Sequence, residues 1–94
     1  MLNPKVFIII DQFFPKIIDH HIRTRSPERE ACEALERYRE MGYLTINRLP
    51  PEQQELNRQI LDDAFASCVR QLEEFHAREE GKKAKGSQSN VDLA

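Results

Sequence analysis

Asn3-Pro4-Lys5-Val6-Phe7-Ile8-Ile9-Ile10-Asp11-Gln12-Phe13-Phe14-Pro15 is the stretch whose reading decides the fold. Asn3 followed by Pro4 has the form of a helix N-cap with proline at the first helical position. Val6 to Ile10, in contrast, is an unbroken β-branched and aromatic run, the composition of a fully buried strand. Beyond it Phe13, Phe14, Ile17, Ile18 and Ile22 return to a helical period, while Pro15 has no N–H with which to continue a helix. The balance predicts a short strand over residues 5–10, then a helix opened by Pro15 and ending near His21. One kinked helix is the alternative, and with it an all-α chain.

Downstream, Arg23-Thr24-Arg25 reads as a polar linker. Ser26 is placed to cap a helix with Pro27 at its first position, and Glu28 and Glu30 put negative charge where the helix dipole favours it. Ala31, Ala34, Leu35, Tyr38 and Met41 form the expected buried face, Glu33 and Arg37 support the solvent side, and Gly42 is the expected stop. Tyr43-Leu44-Thr45-Ile46-Asn47 alternates apolar and polar and predicts a strand. Such a strand needs the run at 5–10, or another subunit, to satisfy its backbone.

Pro50-Pro51 then opens a long amphipathic helix running to about Glu80. Its apolar residues Leu61, Phe65, Cys68, Leu72 and Phe75 recur at spacings of four, three, four and three. Leu56, Ile60, Ala64 and Val69 widen that line into a broad stripe that must be buried. A helix of about 30 residues spans about 45 Å, which predicts that Val69, Leu72 and Phe75 project beyond the chain's own core. The expected fold is therefore helix-rich α+β, with three helices, one short two-stranded pairing and the long C-terminal helix. Residues 1–80 form one small domain, and Gly81 to Ala94 form a flexible polar tail without apolar period.

Composition narrows the function classes. At 94 residues, with 39% hydrophobic and 32% charged side chains, the chain reads as a water-soluble domain whose thin core would gain from oligomerisation. A net charge of -2 predicts no general affinity for polyanions. No secretory leader is read at the N-terminus, and Val6 to Ile10 is far short of the roughly 20 residues that span a membrane. Cytoplasmic residence with Cys32 and Cys68 as reduced, packed thiols follows, with no membrane partner.

Several constellations bear on chemistry. Lys16, His20, His21, Arg23, Arg25 and Arg29 form a basic cluster around the helix start at Ser26, where free N–H groups attract anions. Lys16, Arg23, Arg25 and Arg29 are thus the candidate site for a phosphate or nucleic-acid backbone, against the simpler reading of a solvated linker. Adjacent His20 and His21 point about 100° apart on a helix, so one faces solvent and the other borders the core. With neither Cys-x-x-Cys nor His-Glu-x-x-His spacing present, no metal or other cofactor is expected.

Lys5 to Asp11 resembles the first strand of PIN-type nucleases over seven residues. The resemblance implies a metal-dependent enzyme with Asp11 as a metal-binding acid; further converging acids are required, and Asp62-Asp63 is the other close acid pair outside the charged helix ends. Residues 26–75 are also similar in order to the winged-helix layout: Glu33-Ala34-Leu35-Glu36-Arg37, then Met41-Gly42-Tyr43-Leu44, then the helix after Pro50-Pro51. The second wing strand is missing, and the presumed reading helix carries Glu28, Glu30, Glu33, Glu36 and Glu40, which repel phosphate.

No motif names a reaction. The expectation is a non-enzymatic interaction module, acting as an oligomeric adaptor, accessory subunit or regulator. Its interface would be Leu61, Phe65, Cys68, Val69, Leu72 and Phe75, and its partner a second copy or another protein. The alternative is a nucleic-acid or phosphate-binding regulator using the basic cluster.

Overall fold

In the computed structural model the run after Asn3 is helical, and the expected α+β fold gives way to an all-α one. The structure describes the backbone of residues 2–93 and the side chains of residues 2–81, and among them there is no strand. The order is α1 (Pro4–Ile8), a π-helical turn (Ile9–Phe13), α2 (Phe14–Thr24), α3 (Glu28–Ile46) and α4 (Pro51–Leu93). Of the expected flexible tail, residues 81–94, the side chains of residues 82–94 lie outside those described.

Local chemistry decides the first segment. Asn3 caps α1 through its side chain, which accepts the Lys5 N–H at 2.9 Å, and Pro4 stands in the first turn. The β-branched run is not buried on both sides as a central strand would be: Val6 and Ile9 are buried, whereas Phe7 and Ile8 are exposed. Buried positions continue at Phe14, Ile18 and His21, so the steps from Val6 are three, five, four and three. The step of five coincides with the π turn, where the Phe14 N–H bonds to the Ile9 carbonyl. One extra residue in that turn keeps the buried face in register and loosens the turn that the Pro15 ring would otherwise crowd. The backbone stays right-handed from Ile8 through Phe14, so α1, the π turn and α2 form one continuous rod.

Residues 43–47 are also helical up to Ile46 rather than a strand, and Gly42 lies inside α3 instead of ending it. A Cβ at Gly42 would sit 2.5 Å from Leu61 Cδ2, so glycine here permits close approach of α3 to α4. Ala31, Leu35 and Ile46 complete the buried face of α3, while Met41 turns outward. The Ser26 side chain does not cap α3, which begins after Pro27, and instead meets His21. Arg25 closes the preceding corner in left-handed conformation (φ 53°), its N–H bonded to the His21 carbonyl at 2.8 Å. At the other end of α3, Gln54 Nε2 donates to the Leu49 carbonyl at 2.9 Å and fastens the turn before α4.

The three rods pack up, down and up. The Asn3 N–H donates to Asn57 Oδ1 at 2.7 Å at one end, and His21 meets His76 at the other, so α4 runs parallel to the first rod. Leu61, Cys68 and Leu72 are buried between the rods, and Phe65 and Phe75 pack at the edges. Fully burying an aliphatic side chain contributes about 1.5–3 kcal/mol, so this stripe is a major part of the core.

Candidate functional site

Three depressions lie along the seam between the first rod and α3, and none is lined by α4. The first, about 560 Å³, includes Lys5, Met41, Leu44, Thr45 and Arg48. A second of about 260 Å³ shares Lys5, Met41 and Thr45 with it and adds Ile8, Ile9 and Phe13. Phe13 also lines the third, about 320 Å³, with Ile17, Ala34, Tyr38, Lys16 and His20. The shared residues make one continuous groove. Its floor is set by Phe13 stacked on Tyr38, ring centroids 4.9 Å apart. Its rim exposes Leu44 by 65%, Met41 by 48% and Ile8 by 38%, an apolar patch of the kind that marks interaction surfaces.

At one end of the groove, where His21 and Ser26 line the third depression, a histidine pair joins α2 to α4. His21 Nε2 lies 2.9 Å from His76 Nε2, and His21 Nδ1 lies 3.0 Å from Ser26 Oγ. An N–H···N bond needs one bare nitrogen, so only one of the two facing Nε2 atoms carries a proton. Phe75 packs edge-on against His21, and Glu28 Oε2 stands 3.9 Å from His76 Nε2. Burial lowers the His21 pKa from its ordinary value, and His76 and His20 lower it further against the opposing pull of Glu28. The distance from Ser26 to His21 matches that of a nucleophile and its base. His21 is 1% exposed and, with Ser26, lines the inner wall of the third depression, and the pair ties α2 to α4.

The residues expected from sequence scatter across different roles. Leu61, Cys68 and Leu72 are buried in the chain's own core, Phe65 meets Phe14, Phe75 meets His21, and Val69 is half-buried. Leu72 retains 1% exposure, so the C-terminal half of the stripe does not overhang the core as expected, because α2 reaches His76. In the basic cluster, Arg23 pairs with Asp19 at 2.8 Å, Arg25 with Glu79 at 3.3 Å and Arg29 with Glu33 at 3.0 Å. Lys16 alone of the four faces the groove. As expected, His20 is exposed and His21 buried.

Neither family resemblance survives the fold. Residues 5–10 are helical and Asp11 is exposed within the π turn, while Asp62 accepts a hydrogen bond from the Tyr43 hydroxyl. The wing strand of the second layout is the end of α3. Among the described residues no group of three or more His, Cys, Asp or Glu side chains is arranged to hold a metal ion. Cys32 and Cys68 are free, and burial pushes both thiols up, away from the reactive thiolate form. Among the described residues, no helix is long and apolar enough to cross a membrane.

The groove escapes sequence reading because its rim depends on the helical phase of residues 41–46. Read as a strand, Leu44 faces a sheet; read as helix, Met41 and Leu44 fall on one outward face, with Arg48 in the turn that follows. Fold and groove define a class, an all-α three-rod bundle with an apolar groove between its first rod and α3. Comparison with protein-family models, curated proteins and solved structures finds no match to this chain.

Proposed function

We propose that this protein is a non-enzymatic interaction module, an adaptor, accessory subunit or regulator, whose docking face is the groove between the first rod and α3. The observation that carries the reading is the exposed cluster of Ile8, Met41 and Leu44 above a groove floored by Phe13 and Tyr38. The apolar stripe of α4 has a sufficient role in the core, so the interaction surface moves to the face that α4 leaves uncovered. A phosphate-binding function has less support, since three of its four candidate cations already face carboxylates.

The test compares the full chain with a Met41→Glu, Leu44→Glu variant after equal melting temperatures have been confirmed. Partner proteins that cross-link at Ile8, Met41 or Leu44 of the wild type and are lost with the variant support the proposal. Sedimentation over a range of concentrations detects a second copy as that partner. An identical set of associations for both forms refutes it.

A further inference from the structure

The groove has a length and a charge as well as an apolar floor. From Asn3 to His20 it follows some 17 residues of helix, or about 25 Å at 1.5 Å per residue. A helix of similar length fits such a trough, with apolar anchors at i, i+3 or i+4, and i+7. Lys5, Arg48 and Lys16 border the trough, against Glu30 as its lining acid. None of the three cations joins an ion pair among the described residues. In a chain of net charge -2 this basic border is a local feature. It complements an acidic occupant, attracting it in approach and setting its orientation.

Resting on the interaction-module reading, we infer that the groove receives an amphipathic helix of a partner protein whose apolar face is flanked by acidic residues. Ile8, Met41 and Leu44 bury the anchors, and Lys5, Lys16 and Arg48 meet the flanking carboxylates. The outer face of α4 takes no part.

Two synthetic helices of about 17 residues test this. Both carry leucines at the i, i+3, i+4, i+7 positions, one with glutamate flanks and one with lysine flanks, and binding to the full-length protein is read by fluorescence anisotropy. The acidic helix should bind about tenfold more tightly at low salt, with the preference shrinking as salt rises. A Lys5→Glu, Lys16→Glu, Arg48→Glu variant should invert the preference, and Leu44→Glu should weaken the acidic helix. Equal binding of both helices, weakened by Leu44→Glu, overturns the acidic partner while leaving the docking face intact. A wild-type dimer that Leu44→Glu dissociates shows a second copy in the groove and likewise overturns the inference alone. No binding of either helix overturns the inference; if the cross-linking comparison also shows no difference, the interaction-module reading falls with it.

Discussion

Replacing Leu72 with alanine separates a core role for the α4 stripe from an interface role. Leu72 is 1% exposed and belongs to the same buried cluster as Leu61, Cys68 and Ile18. Truncation removes the leucine's buried branched end and leaves a cavity that rigid neighbouring helices fill only partly. Leucine-to-alanine changes at such sites cost about 2–5 kcal/mol. A chain this small is stabilised by roughly 5–14 kcal/mol in all, so the loss is a large share of the total. At about 4–8 °C per kcal/mol the melting temperature should fall by roughly 10 °C or more. Urea unfolding followed by far-ultraviolet circular dichroism, at two protein concentrations a hundredfold apart, reads the effect. The midpoint should drop equally at both concentrations, because the lost contacts lie within one chain. For the same reason Leu72→Glu with Phe75→Glu should unfold the protein rather than release a folded monomer. A loss below about 0.5 kcal/mol, typical of surface positions, would refute the core assignment. So would a Leu72→Ala penalty that vanishes at low concentration, where an interface would already be dissociated.

Three further outcomes follow from the same geometry. His21 is held below its ordinary pKa of 6.5, so the unfolded chain binds the proton more readily; this contribution is complete above pH 6.5 and is lost as pH falls through the lowered value. Urea midpoints should therefore decline from pH 7.5 toward pH 5, and a His21→Gln variant should flatten that decline; an unchanged slope would contradict the burial of a neutral His21. Asn57→Ala removes the acceptor of the Asn3 N–H and should destabilise the protein by about 1–3 kcal/mol, with amide exchange at residues 3–8 accelerating first. A phosphate titration at physiological salt should leave the amides of residues 23–30 in place, since Arg23, Arg25 and Arg29 face carboxylates; saturable shifts there would restore the anion site.

The long helix was legible in the sequence because Leu61, Cys68 and Leu72 hold one face over successive turns. The corner after α2 was legible as a boundary, although Ser26 turned out to bind His21 rather than cap α3. Residues 5–10 misled through composition. Val6 to Ile10 has strand propensity, yet the Asn3 cap and the burial of Val6, Ile9 and Phe14 on one face outweigh it. A step of five between Ile9 and Phe14 fits no α-helical template, and the π turn that absorbs it leaves no local sequence signature. Gly42 misled in the same manner: a glycine after an apolar helical face reads as a stop, and only the approach of Leu61 shows why it lies inside a helix. Reading Gly42 as a stop and Tyr43 to Asn47 as a strand removed residues 43–46 from their helix, and with them part of the face that now carries the functional proposal.

The docking role of that face is tested most directly by a photoreactive amino acid placed in living cells. Benzoylphenylalanine replaces Leu44 on the groove rim in one sample and Ala66, exposed on the outer side of α4, in another. Irradiation should give discrete higher-mass adducts from position 44 and none from position 66. Adducts absent from position 44, or the same from both positions, would contradict the groove as the surface through which this protein works.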